Sequence, residues 1–238
     1  MTEDLKISIE TLYRTFSVYP FRNEMEVCQC CFSEADKEKL YSKHLKDLET
    51  DDLSGFAFKA MTTWGGVDDF KHFLPRIFEL LAADDFTGDA FVVLEKLEYG
   101  KWKEWPEIEK DAIIGFLWVW WEDMVRSKPY FDKEAFTGIY KLTDDIDRLL
   151  DIWTIDLNDH SFSNFVDFVY SYFSDLKGKR AEFKDLDNAE IDKIINWTKA
   201  NSGYFETGFF YFLDKDNELA EKASIAQFIF EHSGVRGN

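Results

Sequence analysis

Apolar residues along this chain recur at intervals of three and four, the spacing of one helix face rather than the alternation of a strand. Leu5, Ile9, Leu12, Tyr13 and Phe16 mark a helix over residues 3–18, which Tyr19-Pro20 ends. A loop follows over 20–32. Ser33 reads as the N-cap of a short helix over EADKEKLYSK, and Thr50 as the cap of the next. That second helix, over 51–63, carries Leu53, Phe56, Ala57, Ala60 and Met61 on one face and is broken by Gly65-Gly66. The clearest pattern lies in Val67–Ala83, where Phe70, Phe73, Leu74, Ile77, Phe78 and Leu81 form a continuous stripe. Pro75 falls inside it. Proline has no N–H to offer the carbonyl of Lys71, so a kink is expected there.

A short helix over 89–98 ends at Gly100, and Trp105-Pro106 opens another over 106–126. Between Ala112 and Trp121 this helix is apolar on every side, which places it at the centre of a bundle or stack. Further helices are predicted over 132–141, 144–153, 161–174, 188–200, 203–213 and 216–232. No strand is predicted; Phe209–Leu213 (FFYFL) has a suitable composition but is short and stopped by Asp214. Short connections pair 51–63 with 67–83, 89–98 with 106–126, 132–141 with 144–153, and 203–213 with 216–232. The expected fold is all-α, built of antiparallel helix pairs, either an irregular HEAT-like α-solenoid or a globular helical array. The polar stretch 178–187 (GKRAEFKDLD) is the best candidate for a boundary. The remaining C-terminal stretch is too short for a large core of its own, so residues 1–238 are read as a single domain.

Composition adds a compartment and a class of partner. An aromatic fraction of 18% argues against disorder, and only 4 Pro and 12 Gly argue against an all-β chain full of tight turns. The formal net charge is −19, a surface that repels nucleic-acid phosphates and anionic lipid and that attracts a basic protein or a cation. Some of the acids also stand where helix N-termini favour them, as in Thr50-Asp51-Asp52, Val67-Asp68-Asp69 and Thr143-Asp144-Asp145. The longest apolar run, Ala112–Trp121, is about half of the roughly 20 residues a membrane span needs. The opening MTEDLK is acidic and leads into no apolar run, so no signal peptide is expected. Three clustered cysteines, two of them adjacent, suit a reducing cytoplasm.

Candidate chemistry is sparse. Cys28, Cys30 and Cys31 lie within four residues, and His44 stands thirteen positions later. Thiolates and an imidazole are zinc ligands, so Cys28 with Cys30 or Cys31, closed by His44 or His72, is one reading. C-x-C-C is tighter than the usual C-x2-C knuckle, and a second pair is missing. A redox C-x-x-C from Cys28 to Cys31 is a second reading, and thiols packing a loop a third. Asp69, His72 and Arg76 share one helix face, where a carboxylate orients an imidazole for acid–base or metal work; an ordinary polar edge beside the phenylalanine stripe is the other account. The second Asp/Glu-x-x-His of a di-iron bundle is missing. Glu122 is placed to pair with Arg126 at i+4. Asp214-Lys-Asp216-Asn-Glu218 imitates the start of a calcium loop, but Leu219 replaces its glycine and Ile225 its final glutamate, so a turn and helix start are expected. No nucleophile elbow, P-loop, H-E-x-x-H or dinucleotide fingerprint occurs.

The CQCC loop and the later DLSGFAFKAMTTWGGVDDFKHFLPRIFELL resemble an uncharacterised family of bacterial proteins with a Cys-x-Cys-Cys loop and a TWG…DF-x-HFLPR segment, over residues 19–83. The resemblance implies a bacterial, cytoplasmic origin, carries no activity, and singles out Trp64, Gly65, His72, Pro75 and Arg76. The leading expectation is an acidic protein-binding module without catalysis, in one form an immunity or antitoxin-like protein that masks a basic protein. The alternatives are a zinc protein using the Cys28–Cys31 loop and a helical enzyme using the Asp69/His72/Arg76 face.

Overall fold

In a computed structural model of the chain, residues 1–22, 25–28, 34–88, 90–178 and 183–233 are described, the side chain of Asp36 aside. Among them are twelve α-helices, two short 3-10 turns and no strand, so the chain is all-α and built of packed helix pairs. Contacts divide it between Trp120 and Trp121, inside one helix, into two compact units.

The first unit holds α1 (Glu3–Phe16), α2 (Glu34–Tyr41), α3 (Thr50–Lys59), α4 (Val67–Ala82), α5 (Ala90–Tyr99) and the opening part of α6 (Glu107–Ser127). Helix α1 packs on α4 through the predicted stripe, with Leu5, Ile9, Leu12 and Phe16 all buried. At roughly 1.5–3 kcal/mol for each large side chain removed from water, such a seam is the main force holding two helices together.

Helix α3 departs from expectation at both ends. Its N-cap is Glu49, whose N–H donates to the Asp52 carboxylate at 2.8 Å, and the Thr50 hydroxyl instead accepts from the N–H of Thr87. The helix stops at Lys59 because Met61 takes a left-handed φ of 62°, and the Lys59 carbonyl then collects the N–H groups of Thr62, Thr63 and Trp64. The turn beyond is held to residues 26–28: Cys28 N–H donates to Thr63 O at 2.8 Å and Gly65 N–H to Glu26 O at 2.7 Å. Gly65 has φ 65°, and a Cβ there would lie 2.9 Å from Asp69 Oδ2, so this position requires glycine.

Helix α4 runs through the buried Pro75 as one element. Helix α5 packs on α3 and on the 3-10 turn Trp102–Glu104. Its Lys96 is buried and donates to the carbonyl of Ala60 at 3.0 Å, a cation at the C-terminal end of α3 where the helix dipole favours one. Helix α6 begins after Pro106 and is enclosed nearly all round between Ala112 and Trp121, as its uniform hydrophobicity predicts; Gly115 alone is exposed. In this unit it is held by large rings, Phe78 stacked on Phe116 at 4.7 Å and Phe116 on Trp120 at 5.7 Å.

The second unit holds the rest of α6, α7 (Lys133–Thr143), α8 (Ile146–Ile152), α9 (Ser161–Lys177), α10 (Asn188–Ala200), α11 (Gly203–Phe212) and α12 (Asn217–His232). The expected pairs α7–α8 and α11–α12 are in contact. Asp145 and Asp216 are N-caps, accepting from the N–H of Arg148 and Leu219, so the calcium-like stretch is a turn and helix start. Glu122 and Arg126 pair at 3.1 Å. The core is aromatic: Phe131 stacks on Trp153 at 5.4 Å, and Trp121 Nε1 donates to Leu149 O at 2.9 Å. Helix α12 lies against α9 and α11 through Ala220, Ala223 and Ala226, side chains small enough for close approach. On α9, the buried Asp167 accepts from Phe131 N–H at 2.8 Å and from Lys222 Nζ of α12 at 2.6 Å.

Candidate functional site

Helix α4 places Asp69, His72 and Arg76 along one side, as their spacing requires, but each is engaged elsewhere. Asp69 is buried. Its Oδ1 accepts from Arg22 Nε and its Oδ2 from Arg22 Nη2, both at 2.7 Å, and Oδ2 also accepts the Gly66 N–H at 2.7 Å. The carboxylate therefore caps its own helix and pins the segment after α1. Arg76 donates from Nε to Leu48 O at 2.7 Å and from Nη1 to Glu79 at 2.6 Å, and Tyr13 of α1 donates to that same glutamate at 2.5 Å. Burial, then the Glu79 hydrogen bond, raises the Tyr13 phenol far above its ordinary range, so it stays a donor. His72 Nδ1 lies 2.8 Å from Tyr19 O. A carbonyl only accepts, so the ring donates from Nδ1 and keeps its lone pair on Nε2. Burial lowers the His72 pKa, and the imidazole is neutral at pH 7. Each of the three thus hydrogen-bonds to a group outside the set, and His72 alone among them lines the cavity it shares with His44.

What the structure does bring together is His72 and His44. Both line a cavity of ≈ 280 Å³ with Phe21, Leu40, Leu48 and Phe73. Lys43 also lines it and is held by Glu49 at 2.9 Å and Asp52 at 2.8 Å. This is a small apolar pocket with two imidazoles. Among the described residues no three of His, Cys, Asp and Glu gather as metal ligands. Cys28 is half-buried; Cys30 and Cys31, and the expected cap Ser33, lie outside the described residues.

Two features are not anticipated by the sequence pattern. The first is a buried polar cluster: Lys71 Nζ lies 2.7 Å from Glu109 Oε2 and 2.9 Å from the Tyr19 hydroxyl, which donates to Glu109 Oε1. The ammonium also sits 4.2 Å from the Trp105 ring centroid. A signal is present, since Lys71 falls three residues before Leu74 and seven before Phe78, on the buried side of α4.

The second is the outward face of α11 and α12. Six of the ten residues of α11 are aromatic, yet only Phe205 among them is buried. Phe210 is 66% exposed and Phe228 of α12 60%, with Leu213 and Ile225 also exposed. Between the helices runs a groove of ≈ 300 Å³ lined by Glu206, Phe209, Phe210, Ser224 and Gln227.

Comparison of the chain with known protein families, with curated proteins and with solved structures gives no match. Among the described residues, no helix is long and apolar enough to cross a membrane.

Proposed function

We propose that the protein is an acidic binding module whose partner is a basic protein, a masking protein of the immunity or antitoxin kind being one form. The observation that carries this reading is where the charge lies. With 47 acidic against 28 basic side chains, 19 carboxylates have no cation of their own however the rest are paired. Among the described acids only Asp69, Glu109, Asp123 and Asp167 are buried, so the excess faces water. Several of the chain's cations are already paired with its own acids, as in Arg22–Asp69, Lys46–Glu10, Lys193–Asp147 and Lys222–Asp167. Such a surface raises the encounter rate with a cationic partner and rejects acidic ones. The side chains suited to acid–base chemistry on α4 are meanwhile occupied in holding the helix in place.

The test is capture on immobilised protein at low salt, then binding measurements on the purified partner. A strongly basic protein is expected, with affinity falling steeply between about 50 and 500 mM salt. An acidic partner, an affinity insensitive to salt, or no specific partner overturns the reading.

A further inference from the structure

The geometry points to the outward face of the α11–α12 hairpin as the surface that takes the partner, and to a basic amphipathic helix as the element it takes. The inference rests on the basic-partner reading above.

Six of the ten residues of helix α11 are aromatic, a composition that calls for more cover than one side of a helix. The chain covers only the side that bears Phe205 and Gly208. On the other side Glu206, Phe209, Phe210 and Leu213 follow one another at i, i+3, i+4 and i+7. Opposite them, Ser224, Gln227, Phe228 and Glu231 repeat the same spacing on α12. A groove lies between these stripes, and two helix faces with this spacing are the kind of surface on which an amphipathic helix docks through i, i+3 or i+4, and i+7 anchors. Phe210 lines the groove with Phe209, Phe228 is exposed next to Gln227 on α12, and aromatic side chains of this kind dominate binding energy at interfaces.

The rim selects the charge of the occupant. Residues 203–233 contain the exposed acids Glu206, Asp214, Asp216, Glu218, Glu221 and Glu231 against two lysines. Both lysines are engaged: Lys222 on Asp167 at 2.6 Å, and Lys215 over the Tyr211 ring at 3.3 Å. A face that exposes Phe210, Leu213, Ile225 and Phe228 among unbalanced carboxylates complements a helix with an apolar stripe and flanking Lys or Arg. A second copy of this chain does not fit, because a two-fold contact would set the acidic rim against itself. An anionic membrane is repelled for the same reason.

The experiment uses full-length protein and three synthetic helical peptides with one leucine stripe at i, i+3/i+4, i+7, flanked by lysine, glutamine or glutamate. Binding is read by fluorescence anisotropy at about 50 and 300 mM salt. The lysine peptide is expected to bind, to weaken with salt, and to lose roughly tenfold or more in affinity for Phe210→Ser/Phe228→Ser. The exposed control Ile108→Ser should bind like wild type, and the glutamate peptide should not bind. Because a variant can perturb its own fold, hydrogen exchange on wild-type protein gives a second reading, with protection on peptide addition expected in residues 203–232. Undiminished binding of the lysine peptide to the double variant, or protection elsewhere, overturns this surface and leaves the basic-partner reading standing. Equal binding of all three peptides overturns both. No binding of any peptide, or a wild-type dimer that the double variant dissociates, overturns the inference.

Discussion

Lys71 of α4 and Glu109 of α6 hold each other inside the first unit, Nζ 2.7 Å from Oε2, with side-chain exposures of 6% and 4%. Removing one partner strands the other charge away from water. Lys71→Met is therefore expected to cost about 3–5 kcal/mol in urea unfolding monitored by tryptophan fluorescence, and Glu109→Met a similar amount. The double variant should recover most of that loss, because two apolar side chains need no compensation. If the double variant is as unstable as the sum of the singles, the two charges are not coupled.

Arg22 and Asp69 form a pair of a different kind, since Arg22 is 49% exposed and Asp69 only 3%. Without its partner, Arg22 turns to water, whereas Asp69 cannot. Both Asp69→Ala and Arg22→Ala are expected to lower stability by about 1–3 kcal/mol, with Arg22→Ala the larger. Thermal melts of the two single variants decide the order, and the reverse order would show that the Gly66 cap outweighs the stranded charge.

Gly208 on α11 sits against the ring of Phe162, where an added Cβ would come within 2.0 Å of Cζ. The ring is fully buried and stacked on Phe212, so it has little room to withdraw. Gly208→Ala is expected to destabilise by about 1–3 kcal/mol despite alanine's better helix propensity. Phe162→Leu in the same chain should return part of the loss, and an unchanged melting temperature for Gly208→Ala would contradict the packing.

His72 makes stability depend on pH. Burial depresses its folded-state pKa below the unfolded value of about 6.5, so the unfolded chain binds the extra proton first. Stability should fall as pH drops through about 6.5 toward the lower folded value. His72→Asn keeps a donor toward Tyr19 O without a titrating ring and should flatten that slope. Urea midpoints at several pH values for both proteins make the comparison. An unaltered slope in the variant would assign the pH dependence to other groups.

The helices are legible in the sequence because their apolar stripes are regular: Leu5, Ile9, Leu12 and Phe16 are all buried, and the all-round apolar stretch of α6 is enclosed. Boundaries are less legible where backbone geometry decides. Nothing in the side-chain pattern announces the left-handed Met61 that stops α3 four residues early. Spacing places Asp69, His72 and Arg76 on one side of α4 correctly, but it is blind to partners distant in sequence. Arg22, Tyr19 and Leu48 claim one each. The FFYFL run carries more than composition reveals, since only the packing of α11 on α9 and α12 shows which of its rings are left uncovered.

Lys96 gives the first unit a built-in reporter. Its amine is enclosed at the Ala60 carbonyl, while lysines such as Lys101 and Lys103 stand in solvent. An amine-acylating reagent will consume the solvent lysines first and reach Lys96 only when the contact between α3 and α5 comes apart. The rate at which that one site acquires its label is then a clock for breathing of the fold, readable by mass spectrometry in a crude extract.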